Sequence, residues 1–194
     1  MALNKEYQSQ QEAIATYSYQ DIAEGTGITI YYGFSLQIDN SAANDKYVLN
    51  QNAIISSKLQ TTSGAAVDCD FDVTFNLPKT VGGTFYFHIP IHGPDTAGHT
   101  VSPIITIYKY DGTNETTLVA ATTFQAVAQN AYKDVAGKIT IPQTHFKSGE
   151  TFRFNVAFAG DAGAYLYHDP LGNQANFPLS GGQLKVFVPF KLDL

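Results

Sequence analysis

The sequence predicts an all-β protein: a single-domain antiparallel β-sandwich of the jelly-roll kind. Several stretches alternate between apolar and polar residues, Gly- and Pro-containing turn signals separate them, and 25 of the 194 residues are Phe or Tyr (13 + 12). Alternation with period two indicates strands with one buried face, which a second sheet must cover. We expect about eight to ten strands. The sandwich should span residues 23–194, after a polar arm or short helix over residues 1–22.

Five stretches carry the alternation, and each predicts which residues face inward. From Ile28 to Ile38 the even-numbered positions are the apolar ones, which leaves Tyr31 on the other face. The same pattern predicts four further inward rows, which are Val67 to Leu77, Phe85 to Ile91, Phe152 to Phe158 and Leu184 to Leu194, each at every second residue.

Turn signals lie between these stretches. Asp111-Gly112 is the strongest hairpin signal, because both residues tolerate the positive φ that a tight hairpin turn requires. The others are Gly82-Gly83, Gly93-Pro94, Ser148-Gly149 and Gly181-Gly182.

The last stretch also predicts a subunit contact. Pro189 cannot donate a backbone hydrogen bond, which indicates either a sheet edge or a bulge at that position. On an edge strand Phe187 and Pro189 would be available to a second subunit, and Tyr31 is a further candidate for the interface. We expect a homo-oligomer, either a trimer or a dimer.

Charge and cysteine content exclude several classes of function. The net charge of −6 and the sparse, scattered basic residues argue against nucleic-acid binding. No stretch is apolar enough for a membrane span or a signal peptide, so we expect a protein made in the cytoplasm with no membrane partner. The only cysteine, Cys69, is in phase with an apolar row and is predicted to be buried and unreactive.

Asp68, Asp70 and Asp72 form a row of carboxylates on the polar face of one predicted strand. Such a row either faces water, is compensated by Lys residues on a neighbouring strand, or binds calcium. Solvent-facing carboxylates are the favoured interpretation, so we expect no cofactor, with calcium at these three residues as the alternative.

His88, His92 and His99, with Asp95 nearby, suggest a zinc site by their spacing. Pro90 and the Gly-rich segment make that geometry loose, so histidines on a polar strand face and in a loop are the favoured interpretation.

Tyrosine-rich segments are candidates for sugar binding. Tyr165, Tyr167 and His168 would form one such patch, although tyrosines in these positions are equally suited to the core or to an interface. No hydrolase, zinc-protease or nucleotide-binding motif is present. We therefore predict no catalytic residue and no enzyme, with a hydrolase of unfamiliar site as a minor alternative.

One resemblance spans nearly the whole chain. YSYQDIAEGTGITIYYG, the hairpin ITIYKYDGTNETTL, FKSGETFRFNV, YHDP and the closing VPFKLDL resemble virion structural proteins of tailed bacteriophages. The resemblance implies a virion location and a capsid decoration or auxiliary role, with the major capsid protein among its partners. The alternative it implies is a tail-fibre or receptor- and glycan-binding module.

Overall fold

A computed structural model describes residues 26–36, 46–52, 60–62, 68–160, 163–168 and 184–192. Every regular element in this part of the chain is a strand, which confirms the all-β fold class. The strands are β1 (Thr26–Leu36), β2 (Lys46–Asn50), β3 (Gln60–Thr62), β4 (Asp68–Thr74), β5 (Lys79–His92), β6 (Thr100–Tyr110), β7 (Glu115–Thr123), β8 (Val127–Ala128), β9 (Tyr132–Phe146), β10 (Thr151–Gly160), β11 (Tyr165–Tyr167) and β12 (Lys185–Leu192).

Two sequence predictions fall outside these residues, namely the arm at 1–22 and the turn at Gly181-Gly182. Within the described ranges there is no helix long and apolar enough to cross a membrane.

The strands form one folded-over sheet in the order β3-β11-β5-β12-β1-β2-β4-β10-β6-β7, with β9 beside β5 and β8 beside β6. All pairs are antiparallel except β2 and β4, which run parallel and share the single registered pair Val48 and Asp72. The predicted antiparallel pairing therefore holds for every strand pair in the described residues except this one, which makes the sheet mixed. The path folds so that β5 and β9 face β4 and β10 across the core, giving the predicted jelly-roll-like sandwich.

β5 supplies the centre of the core. Its inward row is completely buried, as the alternation predicts, and consists of Val81, Phe85, Phe87, Ile89 and Ile91. Across the sandwich Phe154 of β10 lies 5.5 Å from Phe85 and 5.9 Å from Phe87, measured between ring centroids. These tilted ring pairs exclude water from both layers at once.

β4 confirms its predicted inward row as far as Phe75, one residue beyond the strand, although Val73 is only partly buried. Cys69 and Phe71 are buried, as expected. Leu77, predicted to continue the row, has 68% of its surface exposed. The reason is that β4 ends at Thr74, so the alternation no longer governs which way Leu77 points.

From Ile28 to Gly33, β1 faces the opposite way from its prediction, whereas Phe34 is buried as predicted. Thr29, Tyr31 and Gly33 are buried, whereas Ile28 is 39% exposed. Gly33 explains the choice: its N–H donates to the Leu184 carbonyl oxygen at 2.9 Å, and a Cβ on Gly33 would lie 2.3 Å from the Leu184 side chain. Only the glycine face of β1 fits so close to its neighbours. Tyr31, predicted as an outward subunit contact, is therefore a core residue.

β12 lies between β5 and β1, so the prediction of a sheet edge at Pro189 is wrong. The alternative of a bulge is confirmed, because the pairing with β5 shifts register between Phe187 and Phe190. Gly82-Gly83 is likewise a bulge inside β5 and not a turn. Gly83 has a φ of 111°, and the space its side chain would fill is next to Pro189. The two irregularities are thus neighbours in adjacent strands.

The two clearest turn predictions are confirmed. Asp111 and Gly112 lie in the β6–β7 hairpin, where Gly112 has a φ of 97° and the Asp111 carboxylate accepts hydrogen bonds from the backbone N–H groups of Thr113 and Asn114. Gly149, with a φ of 88°, lies in the turn between β9 and β10.

Replacing Phe154 with alanine should lower the free energy of unfolding by about 3 to 5 kcal/mol, because it opens a cavity against two buried rings. Urea denaturation measures the change. Tyr86→Ala is the matched control: Tyr86 lies on the outer face of β5, 45% exposed, and its loss should cost at most about 0.5 kcal/mol. Equal losses in the two variants would contradict this description of the core.

Candidate functional site

The outer face of β5 carries a cluster of aromatic and ionisable side chains at the end of the strand. We call it the aromatic–histidine cluster; it consists of His92, Asp95, Tyr132, Tyr165 and Tyr167. Strand pairing builds it, since His92 is the register partner of Tyr132 on β9 and of Tyr165 on β11. Paired residues of neighbouring strands share a face, so the three rings lie side by side.

The rings of the cluster are in direct contact. The His92 imidazole stacks on the Tyr132 ring with centroids 4.3 Å apart and an interplanar angle of 29°. Tyr165 lies 5.5 Å from His92 on the other side, and Tyr167 lies 6.4 Å from Tyr132. Tyr132 is 37% exposed, so its ring presents a face to solvent.

Asp95 joins the cluster from the loop that follows β5. Its carboxylate accepts a hydrogen bond from the Tyr165 hydroxyl at 3.2 Å and lies 3.8 Å from His92 Nδ1. The Asp95 side chain is 58% exposed, while that of His92 is 11% exposed. The cluster therefore combines a buried imidazole with an accessible carboxylate.

A close backbone approach at Gly93 directs this loop. A Cβ on Gly93 would lie 1.9 Å from the Ala128 carbonyl oxygen, so only glycine permits the approach. The Gly93 N–H donates to the Ala131 carbonyl at 2.8 Å, and the Asn130 N–H donates to the Pro94 carbonyl at 3.0 Å. These bonds tie the loop to the chain between β8 and β9 and so hold Asp95 beside the rings.

Both β11 tyrosines are held in the neutral form. The hydrogen bond to Asp95 and the negative charge of that carboxylate raise the pKa of Tyr165. Burial, followed by the neighbouring Tyr132 and Tyr165, raises the pKa of Tyr167 to about 12. At neutral pH each phenol is therefore a hydrogen-bond donor and not an anion.

The structure separates the residues of the predicted sugar patch. Tyr165 is partly exposed, but Tyr167 is only 5% exposed and His168 is completely buried. The His168 ring packs in the core, 5.7 Å from Tyr47 and 6.2 Å from Phe71, so its predicted place on the surface is wrong. Sequence reasoning missed Tyr132, because only the register of β5 and β9 brings it to His92.

The three histidines do not come together as a zinc site. His88 and His92 are both on β5, where His88 Nδ1 lies 3.2 Å from Asp134 Oδ2 of β9, and His99 lies in the loop before β6. His88 is thus a partly exposed strand-face histidine and His99 a loop histidine, as the favoured interpretation expects, whereas His92 is buried. Across the described residues no three or more His, Cys, Asp or Glu side chains are grouped so that they could hold a metal ion.

The carboxylate row of β4 faces two polar side chains of β10. Arg153 donates to both oxygens of Asp72 at 2.7 Å and also contacts Asp70 at 3.4 Å. Asn155 donates to Asp68 at 2.5 Å and to Asp70 at 2.8 Å. The favoured interpretation of carboxylates that simply face water is therefore incomplete, because side chains of β10 bind all three. The alternative of cross-strand partners holds, with an arginine and an asparagine in place of lysines.

Arg153 also connects this row to the neighbouring hairpin. Its guanidinium contacts Glu115 of β7 and lies 5.1 Å from the centroid of the Tyr110 ring. The hydrogen bonds to Asp72 are the main cause that raises the pKa of Arg153. Its positive charge is therefore fixed, and it offsets part of the negative charge of the acidic row.

Comparison with known proteins identifies related folds. No protein-family model matches this chain, and no curated protein sequence matches it. A CocE/NonD family hydrolase from Staphylococcus aureus is similar in structure, with a TM-score of 0.54 and 14% sequence identity over 85% of this chain and 37% of the hydrolase. This chain therefore spans little more than a third of the hydrolase.

Two weaker similarities are to phage and viral proteins. The enzymatically active domain of tailspike protein 4 of bacteriophage CBA120 has a TM-score of 0.35 and 12% identity, over 80% of this chain and 21% of that one. A protein of infectious bursal disease virus, Gx strain, has a TM-score of 0.23 and 11% identity, over 92% and 52% of the two chains.

The similarity to the hydrolase corrects the prediction that this chain is not an enzyme. That prediction depended on the absence of familiar catalytic motifs, yet the same fold occurs within an enzyme that is 14% identical to it. At this identity the fold persists after sequence motifs have diverged, so a missing motif does not exclude hydrolysis.

Asp70→Asn should stabilise the protein at pH 7 by less than about 1 kcal/mol, since Asp70 is 43% exposed. Burial raises the pKa of Asp70 above its ordinary value, against the opposing effects of Asn155 and Arg153. The stability that Asp70 contributes is therefore present below about pH 4 and is lost as the pH rises through the folded-state pKa. Urea denaturation at pH 3 and pH 7 should show the advantage of the variant growing with pH.

Asp111→Asn is the control of opposite sign. Backbone hydrogen bonds from Asn114 and Thr113 lower the pKa of Asp111, so its contribution is present above about pH 4 and is lost as the pH falls through the folded-state pKa. This variant should be less stable than the wild type at pH 7, with a smaller deficit at pH 3. The same sign of pH dependence in both variants would refute the opposite pKa shifts assigned to Asp70 and Asp111.

Proposed function

We propose that this chain is a saccharide-binding β-sandwich component of a bacteriophage virion, of the tail-fibre or tailspike kind, that takes part in the hydrolysis of a surface polymer. The observation that carries the proposal is the aromatic–histidine cluster. The exposed face of Tyr132 offers a flat apolar surface to the C–H face of a sugar ring. Asp95 and the Tyr165 hydroxyl, beside it, offer hydrogen bonds to sugar hydroxyl groups.

The virion location and the role in hydrolysis are two parts of this proposal, and each has its own support. The virion setting is supported by the resemblance of the sequence to structural proteins of tailed phages. The hydrolytic setting is supported by the CocE/NonD family hydrolase, in which this fold accompanies a longer chain. A β-sandwich that holds a polymer beside a cleavage site fits both settings.

Ligand binding fits the surface better than capsid decoration does. A subunit contact requires a contiguous apolar patch. In the described part of the chain, four large hydrophobic side chains are exposed. They are Ile28 on β1, Leu77 in the β4–β5 turn, Tyr86 on β5 and Tyr132 on β9. Because these side chains are scattered over different elements, they do not favour a capsid decoration role. A dimer or trimer that uses Phe187, which is only partly buried, stays a prediction.

Tyr132→Ala and Tyr165→Ala should each weaken saccharide binding at least about tenfold, because each removes a ring from the cluster. An array of bacterial surface polysaccharides identifies the bound polymer, and titration calorimetry then measures its affinity. Tyr86→Ala removes an exposed tyrosine of β5 that lies outside the cluster, and this variant should bind like the wild type. Failure of the wild type to retain any polysaccharide would refute the proposal, as would full binding by both cluster variants.

Cleavage of the bound polymer at this cluster is the second candidate function, and the position of Asp95 favours it. A carboxylate shared by an imidazole and a phenol is a plausible acid–base group, and most of its surface is accessible. Asp95→Asn preserves the shape of the side chain while removing its charge. Release of shorter saccharides, followed by mass spectrometry, should fall about 100-fold or more while affinity changes less than about threefold. Unchanged release by Asp95→Asn would exclude this carboxylate from the reaction.

A further inference from the structure

The structure contains a second candidate binding site, which shares no residue with the aromatic–histidine cluster. We propose that the cleft beyond the carboxyl ends of β2 and β4 binds a polyhydroxylated carboxylate, the chemistry of a sugar acid. This goes beyond the function proposed above, because it assigns a different site and a charged ligand. The cleft has a volume of about 400 Å³. That is near the lower end of the range of about 300 to 1,000 Å³ for small-molecule sites and suits one or two sugar rings.

The parallel pair creates this cleft. β2 and β4 are joined at a single registered pair, Val48 and Asp72, and both chains then continue toward the same edge of the sheet. The space that remains between them is lined on its buried side by Tyr31, Leu49 and Phe75. Sugar rings pack well on such a mixed aromatic and aliphatic surface.

Polar side chains surround this apolar lining. Asn50, Gln51 and Asn52 contribute amide groups, each with a donor and an acceptor, which is the pairing that vicinal hydroxyl groups require. The Asn50 side chain is already oriented, since its Oδ1 accepts a hydrogen bond from the Asn52 N–H at 2.8 Å. Gln51 hydrogen bonds to the Tyr31 hydroxyl, and burial raises the pKa of Tyr31 to about 12, so this phenol is neutral.

Lys79 supplies the single positive charge of the cleft. Its ammonium group lies 4.4 Å from the centroid of the Phe75 ring and 5.5 Å from that of Phe190. Burial lowers the pKa of Lys79, and no carboxylate among the described residues offsets that effect. Lys109, by contrast, lies 2.6 Å from the Glu150 carboxylate. A partly buried cation without a counter-ion gains more from a bound anion than a paired one does.

The donors favour a carboxylate over a phosphate. Phosphate sites in proteins typically present an arginine fork or several converging backbone N–H groups to a doubly charged ligand. This cleft presents one lysine and neutral amides, which match a singly charged group on a hydroxylated ring.

The test compares sodium glucuronate with glucose, which differ at the carboxylate. In spectra of the ¹⁵N-labelled full chain, glucuronate should saturably shift the side-chain amide signals of Asn50, Gln51 and Asn52, with an affinity at least about tenfold above that of glucose. Lys79→Met should reduce glucuronate affinity to that of glucose, whereas Lys79→Arg should stay within about threefold of the wild type.

Two further variants make every outcome decisive. Asn76→Trp, at an exposed rim position, should block both sugars even if Lys79→Met fails to fold. Tyr132→Ala should leave glucuronate binding unchanged, because Tyr132 belongs to the aromatic–histidine cluster and not to this cleft. A failure of the saccharide-binding proposal can therefore be distinguished from a failure of the cleft proposal. Equal affinity for glucuronate and glucose, no binding of either, or unchanged glucuronate affinity in Lys79→Met or Asn76→Trp would overturn the assignment.

Discussion

Burial of one side of β5 is the constraint on which the rest of this molecule depends. Its inward side chains, which include Phe85, Phe87 and Ile89, are fully buried against β10 and β9. Each contributes about 1.5 to 3 kcal/mol when removed from water. A slip of one residue would turn the whole row toward solvent. The same constraint therefore fixes the alternate row, in which Tyr86 is exposed, His88 is partly exposed and His92 is buried beside the neighbouring tyrosines.

The aromatic–histidine cluster lies where this rigid strand gives way to a loop. β9 and β11 both pair with the end of β5, so His92 is held between a tyrosine on each side. The close approach at Gly93 then turns the chain immediately, which brings Asp95 back beside the rings. Scaffold strands thus set the positions of the rings, and a short tethered loop supplies the ionisable group.

Charge pairing distinguishes the two polar regions of the protein. On the β4–β10 face Arg153 and Asn155 contact the carboxylates of Asp70 and Asp72, so these carboxylates have polar partners within the fold. At the cleft beyond β2 and β4, Lys79 contacts two aromatic rings and has no such counter-ion among the described residues. In a protein with a net charge of −6, a partly buried cation that has no carboxylate partner among the described residues marks a place where an anionic ligand is favoured.

The sequence by itself determined which residues of β5 and β10 face the core, where the Asp111-Gly112 and Ser148-Gly149 turns fall, and that Cys69 is buried. These are local properties, because alternation and turn chemistry depend on neighbours along the chain. The sequence also pointed to Tyr165, Tyr167 and the β4 carboxylates, but without their partners.

Tertiary structure alone decided those partners. The even-numbered side chains of β1 are the more apolar ones, so the local pattern predicted the wrong face, and the contact of Gly33 with Leu184 holds the odd-numbered face inward. Tyr132 reaches His92, and Arg153 reaches Asp72, only through the register of strands that are 40 or more residues apart. Register is set by the burial of whole rows across the sandwich, and no short stretch of sequence contains that information.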